Sequence, residues 1–497
     1  MLRRAVDLHV VSPHPEASAA LRNAGWVVAQ RGFQIGVGAL FTLLVPRLMG
    51  PQAFGQYALV TSVSLWFALL SGLGSASMMT RSVPPFVLRG DRAGLQKLVS
   101  SLFVVRAGTG LLAGALYLAL TAFWLRDLDI VALAFMSGAI FCRTTGNIFF
   151  SLFLGLNQAG RWALGDAIRR ALMLVFVVAG FSVAGLRGAC AGWFAANAIV
   201  LAVGMWMSRA HLRWSVMRPD RRFLLPFLRT GMYFAGGNLL LSVSQHTGET
   251  LVHLTTQNFV EVGYYGVAYG MYAAGAQSLW HLAMAFAPLL MLWNGRGECV
   301  AAGEWLERLL AWMTVLAVAG VMVVLLTGDL VVALVLGPEY LPAVRNFAPL
   351  AIAFIPVGVN SVGRLQALVA DLPGISAQAA GVELVTFWTT GLLLATGAGS
   401  LGACLAVLAG ATLNAAYLSW RLRGELPYSH RPAARAVLLA LPTLPLAWFH
   451  TSWPIELLLL GAALAAYAGL LLGTRVVTPG ELTALWRSLR SDPESSM

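Results

Sequence analysis

Eight arginines stand inside or at the ends of apolar segments: Arg31, Arg81, Arg106, Arg143, Arg169, Arg170, Arg229 and Arg364. A guanidinium stays charged and offers a planar fork of donors that matches carboxylate or phosphate oxygens. Among lipid tails it must find an anion, water or backbone carbonyls. Arg31, Arg106 and Arg143 have no acid deep in their part of the chain, and Asp166 is the one nearby candidate. Arg143, in FCRTTGN, lies about 20 Å from either end of its segment at 1.5 Å per residue, near the bilayer centre. Asn147 follows one helical turn on, on the same face. Unpaired arginines at that depth predict an anionic, phosphate-bearing substrate, with Arg31, Arg106, Arg143 and Asn147 as candidate contacts. Arg81 and Arg364 sit near segment ends, where snorkelling to headgroups is the simpler use. Arg364 is kept in the substrate set as a further candidate.

A second polar group lies in LSVSQHTGETLVHLTTQ, Leu241 to Gln257. Asn238, Ser242, Gln245, Glu249, His253 and Thr256 recur at three- and four-residue spacings, which predicts one polar helix face with His246 close by. Such a stripe lines an aqueous cavity or an interhelical seam. Asn238, Gln245 and His246 are therefore candidate substrate contacts. Glu249 and His253 are candidates for coupling transport to a proton or sodium ion, as ionisable groups at membrane depth do in many transporters. The order His246, Glu249, His253 holds ligand types for a metal, yet the coupling reading fits a polar stripe better. No catalytic residue, metal or resident cofactor is expected.

The elements that must position these groups follow from composition. The chain has 497 residues, 58% hydrophobic and 11% charged, with a mean hydropathy of +0.75. That is far more apolar than a soluble domain. A helix crosses the hydrocarbon core with about 20 apolar residues, and about fourteen such segments can be drawn, among them 24–49, 56–82, 164–184, 188–208, 227–255 and 435–449. The fold class is all-α, a polytopic membrane protein. The net charge of +12 points to nucleic acid only if its placement is ignored. With the N-terminus inside, alternate segments hold 21 of the 33 Lys and Arg and the outer loops hold 4. This asymmetry predicts cytoplasmic N- and C-termini.

Cys142, Cys190, Cys299 and Cys404 lie far apart, indicating neither disulfides nor a thiolate site. The N-terminal residues carry Arg3 and Arg4 without an apolar run directly after them, so no cleaved signal is expected. GLGSAS at Gly72 lacks the third glycine of a dinucleotide loop. No soluble stretch has room for a nucleotide-binding domain.

The predicted organisation is a cytoplasmic tail (1–23), a first lobe of six helices (24–210) and an arginine-rich linker (211–226). A second lobe of six helices (227–420), two further helices (421–474) and a cytoplasmic tail (475–497) complete it. Two related halves are suggested by an echo: AFGQYALV opens the second span and EVGYYGVA opens the eighth, each reading Gly-x-Tyr before an apolar run. Many transporters are built from such repeats, with the substrate path at their interface. In PGELTALWRSLR, Leu482, Leu485, Trp486 and Leu489 share a face beside Arg487 and Arg490, which suits a helix lying on the membrane surface.

PRLMGPQAFGQYALV, ETLVHLTTQNFVEVGYYGVAY and LGPEYLPAVRNFAPLAIAF resemble the polysaccharide-export branch of the multidrug/oligosaccharidyl-lipid/polysaccharide exporter superfamily, the Wzx-type flippases. The resemblance spans the membrane region. In that family an acid, usually Asp, precedes the Gly-x-Tyr motif; Glu249 stands in that place here, a departure that leaves its coupling role open. The resemblance implies a V-shaped pair of lobes with a central cationic cavity, working by alternating access in the bacterial inner membrane. It implies an undecaprenyl-diphosphate-linked oligosaccharide as substrate, held through its diphosphate, with the last two helices forming a groove for the lipid tail. Polysaccharide polymerase and export machinery would be its partners, besides membrane lipid. The competing readings are a cation-coupled multidrug antiporter of the same fold, which would need an acidic site, and a membrane polysaccharide polymerase, which would need a large outer loop.

Overall fold

The computed structural model describes residues 15–72, 75–211, 223–227, 243, 245–426, 428–442 and 453–474. Among them are fourteen α-helices of nine residues or more. The first five are α1 (Pro15–Leu70), α2 (Ser75–Leu88), α3 (Arg92–Trp124), α4 (Ile130–Gly155) and α5 (Ala159–Met207). There follow α6 (Gly248–Thr256), α7 (Phe259–Met284), α8 (Ala287–Gly295), α9 (Cys299–Val335) and α10 (Val344–Val369). The last four are α11 (Pro373–Ala398), α12 (Ser400–Arg421), α13 (Arg431–Ala440) and α14 (Trp453–Gly473). Helices satisfy their backbone internally, the condition for crossing lipid. Nine stretches of the described residues are long and apolar enough to do so.

Nine and about fourteen differ partly because helices run on through tight kinks. The segments expected at 24–49 and 56–82 share α1, bent at Gly50, whose φ of 70° suits a residue without a Cβ. Those expected at 164–184 and 188–208 share α5, folded at Ala184 and Gly185. Other segments are interrupted. The helix expected over 56–82 stops at Leu70 and resumes at Ser75. In the span expected over 227–255, the described helix starts at Gly248, after a turn at His246 and Thr247. Asn238, Ser242 and Arg229 lie outside the described residues, as do residues 443–449 of the segment expected at 435–449 and the amphipathic tail.

The chain divides into two compact units. The first comprises Met1–Phe41 and Val63–Gly236. Its core is apolar packing of α2, α3 and α4 through Met78, Met79, Leu98, Leu102, Phe149 and Leu152. The second comprises Thr42–Ser62 and Gly237–Met497, so the kinked middle of α1 belongs with the later helices. That middle is held by backbone-level contacts. A Cβ on Gly55 would meet the Phe259 carbonyl, and a Cβ on Gly263 would meet the Pro51 carbonyl. The two glycines of the Gly-x-Tyr echo therefore cross each other, and the absence of side chains lets the helices touch. Arg47 donates to the carbonyls of Leu334 and Val335 at the end of α9 at 3.1 and 3.2 Å. Tyr340, fully buried, donates to the Pro46 carbonyl at 3.0 Å. Elsewhere in this unit α13 and α14 pack on α9 through Val318, Met322, Ala436 and Tyr467.

Candidate functional site

The first unit gathers arginines from three helices around one carboxylate. Asp166, near the start of α5, accepts from Arg170 at 2.8 Å, from Gln30 of α1 at 2.6 Å, and from Arg169. Arg169 also donates to the Asn147 side chain of α4 at 3.3 Å. Gln30 contacts Gln34 at 3.4 Å, and Arg31 donates to Gln34 at 2.9 Å. A continuous polar chain thus runs from Arg31 through Gln34, Gln30, Asp166 and Arg169 to Asn147. Arg143 lies one turn before Asn147, half-buried, within electrostatic range of Arg169, Arg170 and Asp166. It makes no hydrogen bond or ion pair among the described residues.

Four guanidiniums, Arg31, Arg143, Arg169 and Arg170, share a single carboxylate, and Asp166 is taken up by two of them. The surplus positive charge sits mainly on Arg143 and Arg31. Asp166 orients Arg169 and Arg170 while leaving the net field positive, which suits an incoming anion. Arg169 and Arg170 stand among the eight arginines of the apolar segments but were not among the candidate substrate contacts. The signal was present in DAIRR, where the acid and the two bases stand at i, i+3 and i+4.

Arg106 is placed differently from the cavity contact expected of it. It is 2% exposed and donates to the Ser71 carbonyl and, at 3.2 Å, to the Thr144 carbonyl. Ser71 is where α1 has just ended, so the guanidinium satisfies a carbonyl that the helix end leaves open. Ser71 and Thr144 also join through their hydroxyls at 3.0 Å. The fork of Arg106 is thereby spent on backbone, and its Nε alone lacks a partner.

In the second unit, Glu249 occupies the first turn of α6, and the Ser62 hydroxyl lies 3.1 Å from it and also reaches the His246 carbonyl. His253 is buried, its ring stacked on Phe259 at 4.8 Å. His246 is half-buried and Gln245 exposed. The turn at His246 and Thr247 overturns the single continuous helical face expected from Gln245 to Thr256, because the register resets at the break. Beside α6, Tyr265, Tyr269 and Tyr272 of α7 follow one another with ring centroids 5.3 and 5.6 Å apart. Among the described residues no three His, Cys, Asp or Glu gather as a metal site.

Arg364 is paired. Its guanidinium lies 3.2 Å from Glu383 of α11, and Asn414 of α12 donates to the same carboxylate. Glu383 was not among the expected residues, since nothing in local spacing ties positions on different helices.

These long, kinked helices of membrane-crossing length, with a cationic polar cluster in the first unit, define a multi-pass membrane protein. A family described as "Polysaccharide biosynthesis protein" matches residues 20–291, more than half of the chain. The chain belongs to that family. Solved structures share the fold. The lipid II flippase MurJ in its inward closed conformation gives a TM-score of 0.67 at 13% identity, covering 92% of this chain and 100% of that one. A multidrug resistance MATE family transporter in its inward-facing conformation gives 0.61 at 14%, covering 79% and 94%. A MOP superfamily transporter from Pyrococcus furiosus, described as having a binding pocket of reverse polarity, gives 0.55 at 15%, covering 82% and 95%. No curated protein sequence matches this chain.

Proposed function

We propose that this protein flips an undecaprenyl-diphosphate-linked oligosaccharide repeat unit across the bacterial inner membrane for exopolysaccharide or O-antigen synthesis. The supporting observation is Arg143, which makes no hydrogen bond or ion pair among the described residues, within a cluster of four arginines and one aspartate. Ionised donors bind phosphate oxygens more strongly than neutral ones, and a guanidinium fork fits two oxygens at once. In this reading the diphosphate meets Arg143 first, with Arg31 beside it, while Asp166 keeps Arg169 and Arg170 aligned behind them. The polyprenyl chain stays in lipid and the sugars travel with the diphosphate. Alternating access then exposes the cluster to each side in turn.

The chain is read as two related six-helix halves, 24–210 and 227–420, with 421–474 added, and with both termini cytoplasmic. The Gly-x-Tyr echo and the charge asymmetry support this. Glu249, at membrane depth and held by Ser62, is the candidate for coupling to a proton or sodium ion. The cationic cluster disfavours a drug antiporter, because it repels cationic drugs.

The test is reconstitution. Vesicles containing the purified protein should move a fluorescent undecaprenyl-diphosphate-linked saccharide between leaflets faster than protein-free vesicles. Equal rates would remove the proposal.

A further inference from the structure

A polar pocket of about 250 Å³ lies in the second unit where α12 ends and α13 begins, lined by Gln366, Ser419, Leu422, Arg423, Tyr428 and His430. It shares no residue with the arginine cluster of the first unit. Its wall is firmly built. Gln366, 2% exposed, donates to the carbonyls of Leu422 at 3.1 Å, Leu426 at 3.3 Å and Glu425. Leu426 has a φ of 41°, a region that costs a non-glycine residue energy. Burial of its side chain in the core at Leu306, Leu310 and Met313 holds it there.

The polar groups converge. Ser419 Oγ lies 3.2 Å from His430 Nε2, and the His430 ring stacks on Tyr428 at 5.1 Å. Arg423 is exposed and makes no hydrogen bond or ion pair among the described residues. The carboxylate of Glu307, on α9, accepts from the Ser429 backbone at 3.0 Å. Burial first, then Arg423, hold the His430 imidazole below the ordinary histidine range, with Glu307 opposing. An anion placed between Arg423 and His430 would relieve that like-charge penalty.

The setting favours lipid. Trp420 is 59% exposed, Arg421 sits over its ring at 5.8 Å, and Tyr417 lies 6.1 Å away. Aromatic rings with arginine mark the headgroup level of a membrane, and the orientation proposed above makes this the cytoplasmic leaflet. The volume is below the roughly 300–1,000 Å³ of sites that enclose a whole drug-sized ligand. It suits a headgroup rather than a lipid.

We propose that this pocket binds a phosphate group, presented by an anionic lipid of the cytoplasmic leaflet, between Arg423, Ser419 and His430. Occupied, it would tie the end of α12 to the start of α13. Free phosphate offers the same chemistry, so the experiment separates the two sources. The full-length protein is placed in nanodiscs of phosphatidylcholine and phosphatidylglycerol in equal parts, and retained lipid is read by native mass spectrometry. Thermal unfolding is recorded in phosphatidylcholine nanodiscs with and without inorganic phosphate. The wild type should retain phosphatidylglycerol over phosphatidylcholine by about tenfold, the value of one charge-assisted hydrogen bond. Arg423→Gln and Ser419→Ala should lose that preference while unfolding at the wild-type temperature in phosphatidylcholine. Stabilisation by inorganic phosphate that disappears in Arg423→Gln, without a lipid preference, would overturn the lipid source and assign the pocket to free phosphate. Equal lipid retention with no phosphate effect would overturn the site.

Discussion

Arg143→Ala is expected to weaken diphosphate-lipid binding and leave the fold intact, whereas Arg106→Ala is expected to do the reverse. The contrast comes from what each guanidinium touches. Arg143 is half-buried with no partner among the described residues, so its removal breaks no internal bond and relieves repulsion from Arg169 and Arg170. A hydrogen bond to a charged group contributes about 1.5–3 kcal/mol. Losing one phosphate contact of that strength weakens binding about 10- to 150-fold, at 1.4 kcal/mol per tenfold. Arg106 instead serves the carbonyls of Ser71 and Thr144 in a buried setting. Removing it deletes two hydrogen bonds from a charged donor to buried carbonyls, about 3–6 kcal/mol at 1.5–3 kcal/mol each. The assay pairs titration of the purified variants with undecaprenyl diphosphate and their thermal unfolding in the same detergent. Wild-type affinity in Arg143→Ala, or a loss of stability in it as large as that of Arg106→Ala, would contradict the roles given to the two arginines.

Three other outcomes are expected. Gly263→Ala puts a methyl group against the Pro51 backbone, at about 1–3 kcal/mol for overpacking. In a background lacking Cys299, the buried Leu59→Cys thiol should then react with maleimide about 5- to 150-fold faster, and an unchanged rate would contradict the close crossing. Glu249→Gln should flatten the dependence of flipping on pH or sodium if its carboxylate couples transport; a wild-type profile would reduce it to a packing residue. Burial first, then Arg161, hold His211 below its ordinary value of 6.5, so the unfolded chain binds this proton more tightly. Stability from this group is complete above about pH 6.5 and falls as the pH drops below it. His211→Gln should remove that part of the slope in thermal unfolding between pH 7.5 and 5.5, and an identical slope would contradict it.

What the sequence displayed was period and type. The tight fold of α5 at Ala184 and Gly185 falls between the two segments drawn there, because an apolar run broken by small residues is a local signal. The Gly-x-Tyr echo was visible as a repeat, but its cause was not: Gly55 and Gly263 are the points where two helices touch, and a contact between distant positions leaves no mark on local spacing. The same limit hid the partners of the arginines. Arg106 and Arg143 read alike as isolated charges, and only the helix end at Ser71 distinguishes a residue bonded to backbone carbonyls from one left open. Glu383 neutralises Arg364 from another helix. The stripe around Glu249 was drawn on an uninterrupted helix, whereas the chain turns at His246 and Thr247, where polar side chains and a glycine let the helix restart.

The protein is proposed to carry a diphosphate-linked saccharide from one leaflet to the other. The most direct measurement removes the protein from its cell and determines both the amount of complete lipid-linked repeat units and the leaflet that holds them. Full-length units accumulating on the cytoplasmic side, and cleared by wild-type protein but not by Arg143→Ala, are the expected result. Complete units already on the outer leaflet, unjoined or otherwise, would contradict it.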